Sequence, residues 1–397
     1  MIRHLLKLAW HRKRANALVM LEIFASFLVL FVVTTLGAWF FYLYNLPTGF
    51  DRRDVWNVDV SRGGNGDERF TPADAALFTR LLSEARGLGA VRAAAAAYGV
   101  PYDGHNWTGS WDVNERLFET ELDQVTEEFD KVLGIHLLAG RWFEAADEAL
   151  AWRPAVLTVS AARDLFHTED VLGKKLPVAK DEPETRVVGI IQDFRKAGEL
   201  APPDNFIFGR IRAGDPNSMP PESILLKVAP DADAGVEKAI LDRFRAIAPA
   251  WSFGLRSLDE MRANRFQERL VPLLVGAIIG GFLLLMVALG LVGVLWQNVT
   301  TRTREIGLRR AAGASGAAVR RQILLEVFVN TTIGLFVATI LLAQVPLLGL
   351  VPYLTPGVYA AGLVVSLGLM YLLTFLCGYY PSWMATRVQP AEALRTE

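Results

Sequence analysis

Two stretches without a single charged side chain constrain this chain more than anything else in it. Leu270 to Thr301 carries none over 32 positions, and Val327 to Thr386 none over 60. A helix needs about 20 apolar residues to cross a hydrocarbon core, so the first stretch accommodates one crossing and the second two. A further apolar run, Ile23 to Phe50, lies nearer the start. The sequence therefore predicts four membrane helices, near 20–44, 271–297, 323–345 and 358–380. The segment 346–357, with three prolines and two glycines, reads as an external turn between the last two.

Charge gives an independent reading of the topology. Residues 51–269 hold 28 Lys plus Arg against 37 Asp plus Glu, a net of −9, and the rest of the chain holds 13 against 5, a net of +8. Basic residues gather in short cytoplasmic loops, which predicts both termini inside and residues 51–269 outside. The expected order is a cytoplasmic amphipathic helix (1–19), membrane helix 1 (20–44), a periplasmic α/β domain (51–257), and a stalk continuing into membrane helix 2 (258–297). A cytoplasmic coupling loop or helix (298–322), membrane helix 3 (323–345), the external turn (346–357), membrane helix 4 (358–380) and a cytoplasmic tail (381–397) follow. A cleaved leader fits the start poorly, because its uncharged run is longer than a signal core and ends in Trp39, Phe40, Phe41, Tyr42 and Tyr44. Those aromatics suit an uncleaved anchor at the membrane interface. The one cysteine, Cys377, falls in the fourth span, so no disulfide can staple the outer domain.

Residues 2–14 space Ile2, Leu5, Leu6, Ala9 and Trp10 as an interfacial helix would, with a basic leader lacking structure as the alternative. Outside the membrane, Val55 to Val60, Pro154 to Val159, Arg186 to Ile191 and Ile224 to Val228 read as strands. Thr71-Pro72 opens a helix that ends near Gly87, and Thr126 opens a short one closed by Gly134. Ser160 is placed to cap a helix through Phe166, and Val236, Ile240, Phe244 and Ile247 fall on one helical face after Asp233. The fold class is therefore four transmembrane α-helices plus a large mixed α/β extracytoplasmic domain between helices 1 and 2. After Ser257 a single stiff helix is expected to run into the second span, whereas Asn45 to Phe50 reads as a joint. Ala93 to Ala97 suggests no assignment.

The motif inventory excludes several chemistries. Thr168 to Lys175 lacks the first glycine and the final Ser or Thr of G-x-x-x-x-G-K-[ST], so it is no phosphate loop. Neither G-x-S-x-G nor H-E-x-x-H occurs, and no catalytic residue is assigned. Asp103-Gly104-His105 reads as a solvated turn, with no metal ligand set expected. Asp112 to Asp130 holds eight acidic residues and one basic, Arg116; it reads as a solvated face or as a docking surface for a cationic partner. Glu22 and Glu326 sit at the inner ends of spans, too few for a proton path. Gly276, Gly280 and the adjoining Gly281 allow close helix packing, within one protomer or between two.

The basic segment from Thr301 to Ser315 carries more information. In and just after it, Arg302, Arg304, Arg309, Arg310, Arg320 and Arg321 face one acid, Glu305, and the arginines alone are explained by membrane orientation. Ile306, Gly307 and the small residues through Gly313 to Ser315 suggest close docking of another protein. This segment resembles the cytoplasmic signature R-T-R-E-I-G-x-R-R-A-x-G-A-S of the FtsX-like permease family, including its macrolide-exporter (MacB) type. Ala312 stands where Leu or Met is commoner. Glu326 at the third span agrees, as do Leu137-Leu138-Ala139-Gly140-Arg141-Trp142-Phe143, Val171 to Lys175 and Val187 to Phe194, which resemble the family's periplasmic core domain. The tail Val388 to Arg395 matches with Gln389 in place of Asp, and Gly334 matches where Ala338 departs.

The resemblance implies a non-catalytic membrane subunit of an ABC-type complex, with the ATPase on a separate chain. ATP and magnesium would bind to that partner, and no cofactor to this chain. Arg302, Arg304, Glu305, Ile306, Gly307, Arg309, Arg310 and Gly313 would dock the ATPase. A second copy or paralogue of the permease and a periplasmic adaptor are the other expected partners besides the membrane, and nucleic acid is not. Mechanotransmission would then drive export or extraction in the bacterial inner membrane. The alternative is a transmembrane regulator that uses the same motion to activate a periplasmic enzyme such as a cell-wall hydrolase.

Overall fold

The computed structural model describes residues 13–63, 70–105, 107–113, 116–177, 183–212, 215, 218–301, 307–309, 311–348 and 355–385. The interfacial helix expected from residue 2 and the tail motif from Val388 fall largely or wholly outside these residues, as does half of the external turn. The chain divides into two compact units, 43–269 and the pairing of 1–42 with 270–397. Among the described residues, four helices are long and apolar enough to cross a membrane, and a mixed α/β domain lies between the first and second of them.

Helix α1 (Lys13–Tyr44) precedes the α/β unit. There the described strands are β1 (Val55–Ser61), β2 (Val91–Ala97), β3 (Thr108–Val113), β4 (Arg116–Val125), β5 (Leu137–Gly140), β6 (Arg153–Thr158), β7 (Thr185–Ile191), β8 (Phe206–Arg210), β9 (Ser223–Val228) and β10 (Ser252–Ser257). They form one sheet in the order β10-β1-β9-β2-β4-β8-β6-β7-β5, with β3 paired to β4. The pairs β4–β8 and β6–β7 are parallel, and the others are antiparallel.

Local chemistry sets the helices of this unit. In α2 (Pro72–Arg86), Thr71 Oγ1 accepts from the Asp74 amide while Asp74 accepts from the Thr71 amide, satisfying two otherwise orphaned donors. Helix α5 (Ala234–Ile247) is capped by Asp233, which accepts from Gly235 and Val236. Two expected caps shift. Helix α3 spans Phe129–Leu133, because Thr126 Oγ1 is already taken by the Ala96 amide at 2.9 Å. Helix α4 (Val159–Phe166) is capped by Thr158, two residues before Ser160.

Side-chain alternation then builds three cores on two faces of the sheet. Phe206 and Phe208 of β8 face a cluster with Phe129, Trp142 and Phe194, while Ile207 points to the opposite cluster around α4. In β2, Ala95 and Ala97 join the first of these and Ala94 and Ala96 join a cluster beneath α2 and α5. The alanine run is therefore a central strand buried on both faces, and small side chains leave room for the aromatic residues opposite.

Beyond β10 come α6 (Leu258–Thr301), α7 (Gly316–Leu347) and α8 (Pro356–Ala385). The membrane unit packs Ile23, Phe27 and Phe31 of α1 against Val287, Leu291, Leu335 and Met370. Thr34 Oγ1 donates to the Gly362 carbonyl at 3.1 Å, and a Cβ on Gly362 would lie 2.1 Å from Thr35 Oγ1. Glycine is what lets α1 and α8 approach this closely.

Candidate functional site

The segment that follows β7, Asp193 to Ala201, gathers three distant parts of the α/β unit. Gly49, at φ +86°, presses on the Asp193 carbonyl so closely that a Cβ would sit 2.1 Å from its oxygen. The Arg195 amide donates to the Thr48 carbonyl at 2.9 Å. The Arg195 guanidinium, buried to 2% exposure, donates to the carbonyls of Leu43 and Leu46 at 3.0 Å each and to those of Glu199 and Ala201. Leu43 lies in the last turn of α1, where backbone carbonyls lack helical partners, and a planar five-donor fork suits several of them at once. Asn45 to Phe50 is thus a clamped turn. The expectation of a joint came from Pro47 and Gly49, but Gly49 serves close approach instead of freedom.

Glu199 extends the clamp to the start of α6. Arg262 Nε donates to Glu199 Oε1 at 2.6 Å, Arg52 approaches the same carboxylate at 4.0 Å, and Tyr102 OH donates to Oε2 at 3.3 Å. Arg52 also pairs with Asp259 at 3.3 Å. Burial and the Glu199 carboxylate push the Tyr102 phenol above its ordinary range. Leu258 and Met261 are buried in the aromatic core, fixing the first turn of α6 from the other side.

Lys196 makes the third connection. Its ammonium donates to the His105 carbonyl at 2.8 Å and lies 3.6 Å from both Asp103 and Asp123. Burial pushes the Asp123 carboxyl up to about 7, against the opposing pull of Lys196 and of the Gly99 and Gln124 amides. Asp103 therefore does not belong to a solvated turn. Its carboxylate closes the turn, accepting from Val100 and His105 amides, and faces the buried lysine.

The acidic stretch is likewise divided internally. Glu127 pairs with Arg210 at 2.6 Å, Glu128 with Arg86 at 2.9 Å, and Asp123 with Lys196. These carboxylates do not form a continuous face for a cationic partner; strand geometry sends neighbours in opposite directions.

Of the residues expected to dock an ATPase, Arg302, Arg304, Glu305, Ile306 and Arg310 lie outside the described residues. Gly307 to Arg309 is helical and Gly307 is buried. Ala314 donates back to the Arg309 carbonyl across Gly313 at φ +93°, a glycine-closed helix end. Ser315 then caps α7 by accepting from Ala318, and Arg309 donates to Gln322 Oε1 at 2.7 Å. The described part is therefore a tight helix–turn–helix passage into α7.

The three glycines of α6 separate. A Cβ on Gly276 would meet Val33 of α1 at 3.1 Å, and one on Gly280 would meet Val33 and Val29 near van der Waals distance. Gly281 faces open space. Within one chain, α6 packs tightly on α1 at Gly276, whereas Gly280 has room for a Cβ.

Sequence reasoning missed Arg195, Lys196, Glu199 and Arg262. The only signal was three charges immediately after the apolar strand β7, and nothing local separates those from a solvated loop. It also missed a cavity of about 340 Å³ beside the β3–β4 hairpin, walled by Trp107, Trp111, Leu122 and Ile207 with the Arg153–Asp215 pair at its edge. The three outer segments singled out by resemblance do meet. Arg141 donates to the Val188 carbonyl, Gly173 to that of Val187, and Leu137 pairs with Ile191, all around β7.

Four apolar helices with a mixed α/β domain between the first two define a multi-pass membrane protein with a large extracytoplasmic segment. Residues 17–243 match the MacB-like periplasmic core domain and residues 277–390 the FtsX-like permease C-terminal region. The chain belongs to the FtsX/MacB-type permease family. Among its relatives, the macrolide export ATP-binding/permease protein MacB of Chlorobium luteolum is 25% identical, over 85% of this chain and 50% of that protein. The protein of the same name from Wolinella succinogenes is 26% identical over 70% of this chain and 44% of its own length. The chain spans half or less of the length of these relatives. The periplasmic region of MacB from Actinobacillus actinomycetemcomitans aligns over 54% of this chain and 93% of its own, at 17% identity and a TM-score of 0.39.

Proposed function

We propose that this chain is the membrane subunit of an ABC-type complex, and that it relays the motion of an ATPase on a separate chain to its outer domain for export or extraction of a substrate. The observation that carries this reading is α6. It is helical from Leu258, a buried core residue of the outer domain, to Thr301, beside the basic segment, with Pro272 inside it. Its 44 residues exceed the roughly 20 that a membrane crossing needs. The Glu199–Arg262 bond and the Arg195 clamp hold the outer ends of both tethers on one loop, so displacement of α6 would be passed to the sheet through β7. In this reading Arg302 to Gly313 receives the ATPase, the termini are cytoplasmic and residues 51–269 periplasmic, and the membrane is the bacterial inner membrane.

The test is reconstitution with the ATPase that accompanies the chain through mild-detergent purification. Glu305→Arg and Gly307→Trp should each reduce ATPase stimulation while membrane insertion is unchanged. Unaltered stimulation in both variants sinks the docking assignment. The proteins retained in the same purification separate the two roles: an adaptor and outer-membrane channel support export, and a cell-wall hydrolase supports regulation.

A further inference from the structure

Where α7 and α8 lie side by side they leave an open groove of about 340 Å³. Arg320, Arg321, Leu324, Leu325 and Phe328 of α7 line it, facing Phe375 of α8. At 3.6 residues per turn these α7 positions occupy one face, an arc of about 140°, and Glu326 projects roughly 170° from its centre. Among the described residues, no acidic one lines the groove.

Its chemistry changes along its length. One end is cationic, with Arg321 exposed and the Arg320 guanidinium 5.6 Å above the Tyr379 ring. The other end is apolar: Phe328 stacks on Tyr371 at 5.9 Å, and Phe375 is 44% exposed beside Tyr379. Tyr379 and Tyr380 form an aromatic belt on α8 at the same level as the arginines on α7, and the apolar run of α7 begins at Ile323. The groove therefore passes from headgroup depth into the hydrocarbon.

We propose that this groove binds an anionic phospholipid, its phosphate held by Arg320 and Arg321 and an acyl chain laid along Leu324, Phe328 and Phe375. Guanidinium forks match phosphate oxygens in charge and geometry, and basic pockets between membrane helices are suited to acidic headgroups. A soluble phosphate would leave the apolar half unused. A soluble protein could not follow the groove into the hydrocarbon, and a zwitterionic lipid such as phosphatidylcholine would set its choline cation against the two arginines beside its phosphate.

The test uses the full chain, delipidated in nonionic detergent and titrated with phosphatidylglycerol or phosphatidylcholine under native mass spectrometry. The first phosphatidylglycerol should bind about tenfold more tightly than phosphatidylcholine, and the Arg320→Gln/Arg321→Gln pair should erase that preference. Arg320→Lys/Arg321→Lys, which keeps the charge, should retain most of it. Glycerol phosphate, with the headgroup but no chain, should fail to displace the lipid. Should the Gln pair not insert, the exposed single change Arg321→Gln should still lower phosphatidylglycerol binding by about threefold. Equal affinity for the two lipids, or a Gln variant with undiminished phosphatidylglycerol preference, overturns the proposal. Loss of ATPase stimulation in the Gln pair with lipid binding intact also overturns it, by assigning the groove to a protein partner.

Discussion

Replacing Arg195 by Met tests the clamp most directly, because it keeps an apolar stem of similar length and removes every donor. The guanidinium serves four carbonyls, and two of the residues that carry them, Leu43 and Ala201, are buried at 0% and 4% exposure. A hydrogen bond to a charged group contributes about 1.5–3 kcal/mol net, and stranding the Ala201 carbonyl costs about 1–3 kcal/mol, whereas the Leu43 carbonyl keeps the Leu46 amide. Relief from burying a cation offsets part of this, leaving a local loss of about 3–5 kcal/mol. Local opening at 195–201 and 43–51 should then rise by about two to three and a half powers of ten. Hydrogen exchange on the full chain in detergent reads this at the amides of Leu46, Gly198 and Ala201, whose acceptors lie inside the clamp. Arg195→Lys, which keeps a point charge but not the fork, should raise exchange only about tenfold. Amides in the middle of β6 should not change. If Gly198, Ala201 and Leu46 exchange at the parental rate in a folded Arg195→Met protein, the guanidinium does not hold these segments and the relay through β7 loses its anchor.

Two further predictions concern the buried aspartate and the membrane unit. Because the folded state holds the Asp123 proton up to about pH 7, the folded chain binds more protons than the unfolded chain between the ordinary aspartate value and that point. This group's contribution should therefore fall as pH rises from about 4 to about 7, by at most about 1.4 kcal/mol per pH unit. Denaturant midpoints of the full chain should show this slope, and Asp123→Asn should flatten it; an identical slope in the variant refutes the assignment. In the membrane unit, Gly362→Val forces α8 off Thr35 and should cost about 1–3 kcal/mol in detergent unfolding. Gly281→Ala, which meets nothing within 4 Å, should leave the unfolding temperature of the same preparation unmoved, and a comparable loss there would show that close packing at Gly362 is not what is measured.

The clamp also changes how the two ends of the outer domain are understood. Pro47 and Gly49 suggested freedom after α1 and the unbroken sequence after Ser257 suggested stiffness, an asymmetric pair of tethers. Instead, Arg195 holds the first tether and Glu199 the second, from positions four residues apart on one loop. Both tethers are stiff where they meet the sheet.

What the sequence determined by itself was whatever can be summed or read locally. Apolar runs located four long helices, because the cost of a charge in hydrocarbon is borne residue by residue. The cap at Thr71 was legible because donor and acceptor are three residues apart. The segment from Arg302 to Ser315, with the motifs around β7, was sufficient to recognise the family. Tertiary structure alone decided which charges work together. Arg195 reaches a carbonyl 152 residues away, and Asp123, Glu127 and Glu128 find their partners at Lys196, Arg210 and Arg86. It also decided that Gly276 packs on α1 while Gly281 does not, and that five alanines form a strand buried on both sides. These pairings depend on strand order and sheet register, which long-range packing selects and no local window of the chain records.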